Sequence, residues 1–246
     1  MRTIVAIITC IELFLVAALG FLAVVIVYLP TFWFDKRRIL SGRTLRRTAQ
    51  AAVLFSPMWR FRIHGEVPKN PGKAVCVSNH CSHTDVFLIS HVPWEMKWLA
   101  KRSLFNLPFI GWSMRLVKDV PIDRASPSAA KVALDKCAEW LTKGVPVMIF
   151  PEGTRSKTGE MQAFKDGAFR LAIETGADVL PMAVAGTEGA LSKHDWRPGY
   201  ARGILTVGKP ISTAGMTLRD VPRLKEAARA QIAALRAQIQ PLTAAG

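Results

Sequence analysis

From Thr3 to Leu29 the chain is a nearly continuous run of Ile, Val, Leu, Phe and Ala, interrupted by one acid, Glu12. As a helix rising about 1.5 Å per residue it would reach about 40 Å, against a hydrocarbon thickness of roughly 30 Å. Backbone polar groups in lipid must pair within the segment, so the run is predicted to be a membrane-anchoring helix over 3–29. It is far longer than the roughly 7–15 apolar residues of a cleavable signal, and no small-x-small cleavage site precedes the polar segment. A full span and one arm of a re-entrant hairpin in a single leaflet both remain open.

Lys36, Arg37, Arg38, Arg43, Arg46 and Arg47 follow the apolar run, opposed there only by Asp35, whereas its other flank offers Arg2 and the amino terminus. The positive-inside bias therefore puts the bulk of the chain on the cytoplasmic face of the cell's inner membrane. Each such cation contributes about 1 kcal/mol of attraction to anionic headgroups. From Ile39 through residue 60, basic positions on one side and Leu45, Ala52, Leu54, Phe55 and Met58 among the apolar ones predict a basic interfacial helix. The expected organisation is thus an anchor over 1–62 and a globular domain over 63–246.

The formal charge of +15, from 33 Lys and Arg against 18 Asp and Glu, raises the question of a polyanionic partner. A disordered polycation is excluded, because half the residues are apolar, with 12 Phe and 7 Trp to form a core. Nine cations and two acids fall within 1–62, so almost half of the excess belongs to the anchor and its collar. Aromatics are not interleaved with the basic residues as a base-stacking platform requires, and no nucleic-acid partner is expected. Cys10, Cys76, Cys81 and Cys137 show no CxxC spacing, and a cytosolic domain does not call for a disulfide framework. The group Cys76, His80, Cys81 and His83 matches no common zinc-ligand spacing, so no metal is expected.

Beyond residue 62, short apolar runs alternate with amphipathic ones. Strands are predicted at Ala74–Ser78, Met96–Ala100, Val117–Ile122, Val145–Phe150, Val179–Val184 and Gly203–Val207, with helices near 83–92, 127–143, 165–176 and 217–239. This alternation argues an α/β domain with a mixed, largely parallel sheet flanked by helices. In such sheets chemistry gathers where strands end and helices begin.

Three polar clusters fall at those places. NHCSHTD (79–85) follows the first predicted strand of the domain. His80 and Asp85, five residues apart, do not stack on one helical face, but a turn between them can bring carboxylate to imidazole. An Asp that accepts from one ring nitrogen fixes the tautomer and leaves the other nitrogen as a base. Ser82 and Asp85 also have capping-box spacing, so Asp85 reads equally as a helix-start residue. KRSLFNLPFIGW (101–112) and VPIDR (120–124) place Lys101, Arg102 and Arg124 after strands, where they read as solvated surface or as an anion site. FPEGTRS (150–156) offers Gly153 for a tight turn, Arg155 for a phosphate and Glu152 as an acceptor for a substrate hydroxyl, or else is an ordinary Pro/Gly turn. GxSxG, GxxxxGK[ST] and GxGxxG are all absent, which removes support for a serine elbow, a nucleoside-triphosphate loop and a dinucleotide site.

The four blocks NHCSHTD, PFIGW with VPIDR, FPEGTRS and VLPMAV (179–184), in this order, resemble the lysophosphatidic acid acyltransferases of the glycerolipid acyltransferase family. The resemblance covers about residues 74–185, and it is the four blocks together that make it specific. It implies transfer of a fatty acyl group from acyl-coenzyme A or acyl carrier protein, as co-substrate, to the free hydroxyl of a lysophospholipid, with no other cofactor. By matching position His80 would be the base and Asp85 its orienting partner. Glu152, Gly153, Thr154 and Arg155 would bind the glycerol phosphate, with Lys101 and Arg124 as further contacts, and Pro181 would be structural or line the acyl site. An alcohol is a weak nucleophile until it loses its proton, whereas a thioester carbonyl is already reactive, so one base suffices. Another lysolipid acceptor, a membrane-anchored thioesterase or lipase in which water attacks, nucleophilic catalysis by Cys81, and a non-catalytic binder of anionic lipid are the rival readings.

Overall fold

A computed structural model of the chain describes residues 2–156, 160–191 and 197–244. Seven strands form one sheet in the order β1-β7-β6-β2-β5-β3-β4. They are β1 (Trp59–His64), β2 (Ala74–Ser78), β3 (Lys97–Lys101), β4 (Val120–Ile122), β5 (Val147–Ile149), β6 (Asp178–Ala185) and β7 (Ala201–Val207). All neighbours are parallel except β6 and β7, so the expected mixed, largely parallel α/β architecture is what forms.

Why β2 sits at the centre follows from its composition. Ala74, Val75, Cys76, Val77 and Ser78 are buried at every position, as a strand covered on both faces must be. Val75 and Val77 join one core with Cys137 and Leu141 of α5 (Pro127–Thr142), Phe169 of α6 (Gly167–Thr175) and Leu224 of α7 (Val221–Ile239). Ala74 and Cys76 join the other with Leu88 and Ile89 of α3 (Asp85–Ile89), Trp94 and Met96. Each large apolar side chain so buried contributes about 1.5–3 kcal/mol.

The amino-terminal residues form two antiparallel helices, α1 (Arg2–Thr31) and α2 (Ile39–Phe55). Ala6, Thr9, Gly20 and Val24 line the buried face of α1, while Ile4, Ile11, Leu15, Leu22, Ile26 and Leu29 form an exposed apolar stripe. α1 does not stand clear of the domain. Val5 and Leu13 pack against the core of Met58, Trp59, Ala190 and Ala201. Phe14 and Phe21 meet Phe109, with ring centroids 5.5 and 6.2 Å apart, and Phe21 meets Trp112 at 5.4 Å. Gly20 leaves no room for a Cβ beside Thr48, which sets the close approach of α1 to α2.

Buried charges fasten α2 to the sheet. Arg46 Nη2 donates to both carboxylate oxygens of Asp119 at 2.8 Å, and Glu95 lies 3.7 Å from Arg46 Nε and 3.3 Å from Lys97 Nζ. Lys97 Nζ also donates to the carbonyl of Arg38. Burial pushes the Glu95 carboxyl up and the Lys97 ammonium down from their ordinary values, and their mutual attraction opposes both shifts.

Several elements differ from the sequence expectation. The helix expected to run from Ile39 through residue 60 stops at Phe55, because Pro57 ends it and Trp59–His64 alternates buried and open positions as an edge strand, so a division at residue 62 falls within β1. The strand expected from Val117 begins at Val120. Val117 instead caps α4 (Ile110–Leu116), and Lys118 turns the chain at φ 60°. α3 has five residues rather than ten, and a 3-10 turn at Arg102–Asn106 and α4 occupy what reads as loop. The last helix starts at Val221, with a 3-10 turn at Leu218–Asp220 before it.

Candidate active site

Because β2, β3, β4 and β5 run parallel, the residues that follow them gather at one end of the sheet: His80 after β2, Lys101 closing β3, Arg124 after β4 and Glu152 after β5. His80, Lys101, Arg124, Thr154 and Arg155 line one cleft of about 850 Å³ there. Its other wall is apolar, with Val86, Trp98, Leu99, Leu104 and Phe150.

The turn 79–84 sets Asp85 at the first position of α3, fully buried, with its Oδ2 2.8 Å from His80 Nδ1. The same oxygen accepts the backbone N–H groups of Cys81 at 2.7 Å and Ser82 at 2.9 Å, and Oδ1 accepts the Thr187 hydroxyl at 2.5 Å. Asp85 therefore pins the turn and orients the imidazole with one carboxylate, so the helix-start and orienting readings describe the same group. A carboxylate at Nδ1 makes that nitrogen the donor and leaves Nε2 unprotonated, which is the tautomer a base requires. The ring stacks on Phe150, centroids 3.9 Å apart and planes 14° apart, so it has little freedom to rotate.

Glu152 lies behind the cleft. It is 4% exposed, Oε1 accepts the backbone N–H of His80 at 2.8 Å, and Oε2 accepts that of Gln162 at 3.0 Å. With the His80 carbonyl accepting from the Ser156 N–H at 2.9 Å, the loop after β5 grips the backbone of His80 on both sides. Gly153, at φ 75°, turns this loop and its carbonyl accepts from Arg124 Nη1. Neither Glu152 nor Gly153 is among the residues that line the cleft, and Gly153 lines a smaller adjoining hollow with Leu99, Arg124 and Phe150. Pro181 lies within β6 and pairs with Val77 of β2.

Sequence reasoning did not single out four other groups. Thr187 lies 102 residues from Asp85 and reaches it only through the β6–β2 pairing. Gln162 and Glu188 line the cleft, and Arg236 lies 3.4 Å from Glu188. His83 faces the same space, and its half-buried position, together with nearby Arg155 and His80, pushes its imidazole down to about 4, so it is neutral at pH 7. Burial, then the carboxylates of Asp85 and Glu188, push the Cys81 thiol well above the ordinary range. A thiol held in that form is a poor nucleophile, which removes support for covalent catalysis by Cys81.

Comparison with known proteins identifies the family. The profile of the Acyltransferase family matches residues 60–185. The chain is 38% identical over 139 residues to a chloroplastic 1-acyl-sn-glycerol-3-phosphate acyltransferase of Arabidopsis thaliana, covering 56% of this chain and 39% of that one. It is 33% identical over 188 residues to a 1-acyl-sn-glycerol-3-phosphate acyltransferase of Pseudomonas aeruginosa, covering 74% of this chain and 71% of the relative. Several relatives are longer, and the match spans 46% of one from Brassica napus and 58% of one from Chlamydomonas reinhardtii. The crystal structure of a 1-acyl-sn-glycerophosphate acyltransferase from Thermotoga maritima superposes with a TM-score of 0.72 at 23% identity, over 96% of this chain and 98% of that one, which is a likeness of fold. With its strand-end blocks inside a profile match that covers just over half of its length, the chain belongs to the Acyltransferase family.

Proposed function

We propose that the protein transfers an acyl group from a thioester to the free hydroxyl of lysophosphatidic acid, giving phosphatidic acid for phospholipid synthesis. The observation that carries the reading is the His80–Asp85 pair, 2.8 Å apart, in a cleft that also holds Lys101, Arg124 and Arg155. His80 Nε2 takes the proton of the acceptor hydroxyl as its oxygen attacks the thioester carbonyl. The new C–O bond forms, the C–S bond breaks, and the departing thiolate takes up the proton. Asp85 stabilises the imidazolium formed in between, and general-base catalysis of this kind is worth about 10²–10⁴-fold. One base and a reactive thioester suffice, so the proposal includes no metal and no cofactor other than the donor.

Lys101, Arg124 and Arg155 are assigned to the acceptor phosphate, with Arg155 suited to bidentate contact. Thr154, exposed on the same rim, is assigned as a further polar contact. Glu152 and Gly153 are assigned to shaping the loop that fixes His80 and Arg124. The apolar wall of Trp98, Leu99 and Leu104 suits the acyl chain.

The same proposal seats the enzyme on the cytoplasmic face of the inner membrane by α1 and α2. What supports a seat in one leaflet, rather than a span, is that α1 packs on the domain from Val5 to Phe21 while its opposite stripe stays exposed. Leu107, Ile110 and Trp112 are exposed beside the Phe109 contact with α1, so the exposed apolar surface extends beyond α1. Assaying the detergent-purified protein against a matrix of thioester donors and lysolipid acceptors tests the assignment. Phosphatidic acid as the main product supports it, whereas acylation of a phosphate-free lysolipid in preference to lysophosphatidic acid refutes the acceptor.

A further inference from the structure

A hollow of about 710 Å³ lies at the β1 edge of the sheet, away from the catalytic cleft. It runs from the end of α2 along β1 to Arg202 and Ile204 of β7, and no Asp or Glu is among its lining residues. The β1–β7 register sets Arg60 directly against Arg202, and Arg62 follows two residues on, on the same face of the strand. Like charges at facing positions weaken strand pairing, so such a set calls for something that compensates it.

The protein itself supplies no compensating acid there. Arg60 Nη1 donates to the carbonyls of Ser56 and Trp59, and none of the three guanidinium groups has a carboxylate partner among the described residues. Charges on an edge strand keep it from pairing with another chain, which accounts for Arg60 and Arg62. It does not account for Arg202, because β7 is flanked by β1 and β6. Trp59 lines the same hollow at 1% exposure, and its indole Nε1 has no hydrogen-bond partner among the described residues. Unneutralised cations and an unused buried donor together suit an anionic group with several acceptor oxygens.

The rim indicates which anion. Leu54 and Phe55, 78% and 65% exposed, stand at the end of α2, and Tyr200, two residues before Arg202, is also exposed. A free phosphate gains nothing from exposed Leu and Phe, whereas a phospholipid lays its chains on them. Val53 shares a core with Val5 and Leu13 of α1, so this end of α2 lies beside the exposed Ile4, Ile8 and Ile11. The three arginines therefore stand at the margin of the apolar surface proposed to seat the protein in the leaflet, where headgroups lie.

We propose that the hollow between the end of α2 and the β1–β7 edge binds one anionic phospholipid, with its phosphate on Arg60, Arg62 and Arg202 and its chains along Leu54 and Phe55. The site shares no lining residue with the catalytic cleft and performs no chemistry. With α1 lying in the leaflet, a lipid held at the β1–β7 edge fixes the rotation of the domain about α1, and so the direction in which the cleft opens. The inference rests on the membrane seat proposed above and not on the acyl-transfer chemistry.

The test titrates the full chain in neutral detergent micelles with short-chain phosphatidylglycerol, phosphatidylcholine of the same chain length, and inorganic phosphate, followed by calorimetry. Arg155→Ala is carried throughout the titrations, so that the phosphate site assigned to the catalytic cleft is weakened. Phosphatidylglycerol is expected to bind saturably, one molecule per chain, about tenfold or more tighter than the other two. Arg62→Gln combined with Arg202→Gln is expected to weaken it about 10–30-fold. The charge-matched pair Arg43→Gln and Arg47→Gln, exposed on α2, is expected to leave it within about threefold. Because facing like charges are removed, the melting temperature of the Arg62 and Arg202 variant stays level or rises. With Arg155 intact, its kcat/KM for acyl transfer in the same micelles stays within about twofold.

Equal affinity for the two phospholipids overturns the inference, as does an equal loss in both pairs of variants, which would make the attraction a diffuse one. Inorganic phosphate binding as tightly as phosphatidylglycerol also overturns it, in favour of a site for soluble anions. If the unsubstituted protein sediments with neither neutral nor anionic vesicles, the membrane seat falls and takes the lipid site with it, while the acyl-transfer reading stands.

Discussion

Thr187 Oγ1 donates to Asp85 Oδ1 at 2.5 Å, on the carboxylate oxygen that does not face His80. Both residues are fully buried. The hydroxyl fixes the carboxylate plane and so the direction in which Oδ2 meets the imidazole. A hydrogen bond to a charged group is worth about 1.5–3 kcal/mol, so Thr187→Val is expected to lower kcat about 10–100-fold with KM for both substrates little changed. Thr187→Ser, which keeps the donor, is expected to recover most of the rate. Equal loss in both variants would make Thr187 a packing residue.

Glu152 offers a separable test of how His80 is held. Its carboxylate joins the His80 N–H to the Gln162 N–H across two loops. Glu152→Ala leaves the buried His80 N–H and the half-buried Gln162 N–H without their acceptor and is expected to cost about 1–3 kcal/mol of stability, seen in denaturant unfolding, along with activity. If Glu152 instead binds substrate, the same variant raises KM for the acceptor and leaves stability unchanged.

Arg155 reads the acceptor phosphate in the proposed complex. Arg155→Ala is expected to raise KM for lysophosphatidic acid about 10–100-fold with kcat within a few-fold, because a charge-assisted bidentate contact is lost from ground and transition state alike. Activity toward an acceptor that lacks the phosphate should respond much less. A fall in kcat at constant KM would assign Arg155 to the transition state.

The buried Arg46–Asp119 pair carries a stability prediction of its own. Asp119→Ala leaves Arg46, at 8% exposure, with only the longer contact to Glu95, leaves the Trp98 N–H without its acceptor, and is expected to destabilise the protein by about 3 kcal/mol. Arg46→Met combined with Asp119→Leu removes both charges but leaves the Trp98 N–H without an acceptor and Glu95 with Lys97 alone, so it should recover only part of that loss in a thermal melt.

How far the sequence carried depended on what each residue's neighbours were. β2 was legible to the residue, because a central strand buried on both faces has to be an unbroken apolar run. β1 was not: Trp59, Arg60, Phe61, Arg62, Ile63 and His64 alternate as an edge strand does, but they continue a basic amphipathic stretch and their partner β7 lies about 140 residues away. α4 was hidden by Pro108 and Gly111, and it starts from Phe109 at φ 59°, a geometry no local pattern announces. Lys97 looks like a surface charge in sequence, yet it is wholly buried because Glu95 and the Arg38 carbonyl meet it there. His80 and Asp85 could be singled out because both follow β2, and Lys101, Arg124 and Arg155 because they stand at the ends of β3, β4 and β5. The Glu152 contact with the His80 N–H and the Thr187 contact with Asp85 were not legible, because each depends on a partner distant in sequence.

The most direct measurement of the central claim is product analysis with a labelled acyl thioester, with and without lysophosphatidic acid, for the purified protein and for His80→Ala. The account predicts labelled phosphatidic acid only when the lysolipid is present, little free fatty acid, and a rate about 10²–10⁴-fold lower in the variant. Free fatty acid as the main product under both conditions, or a His80→Ala rate equal to that of the unsubstituted protein, would contradict it.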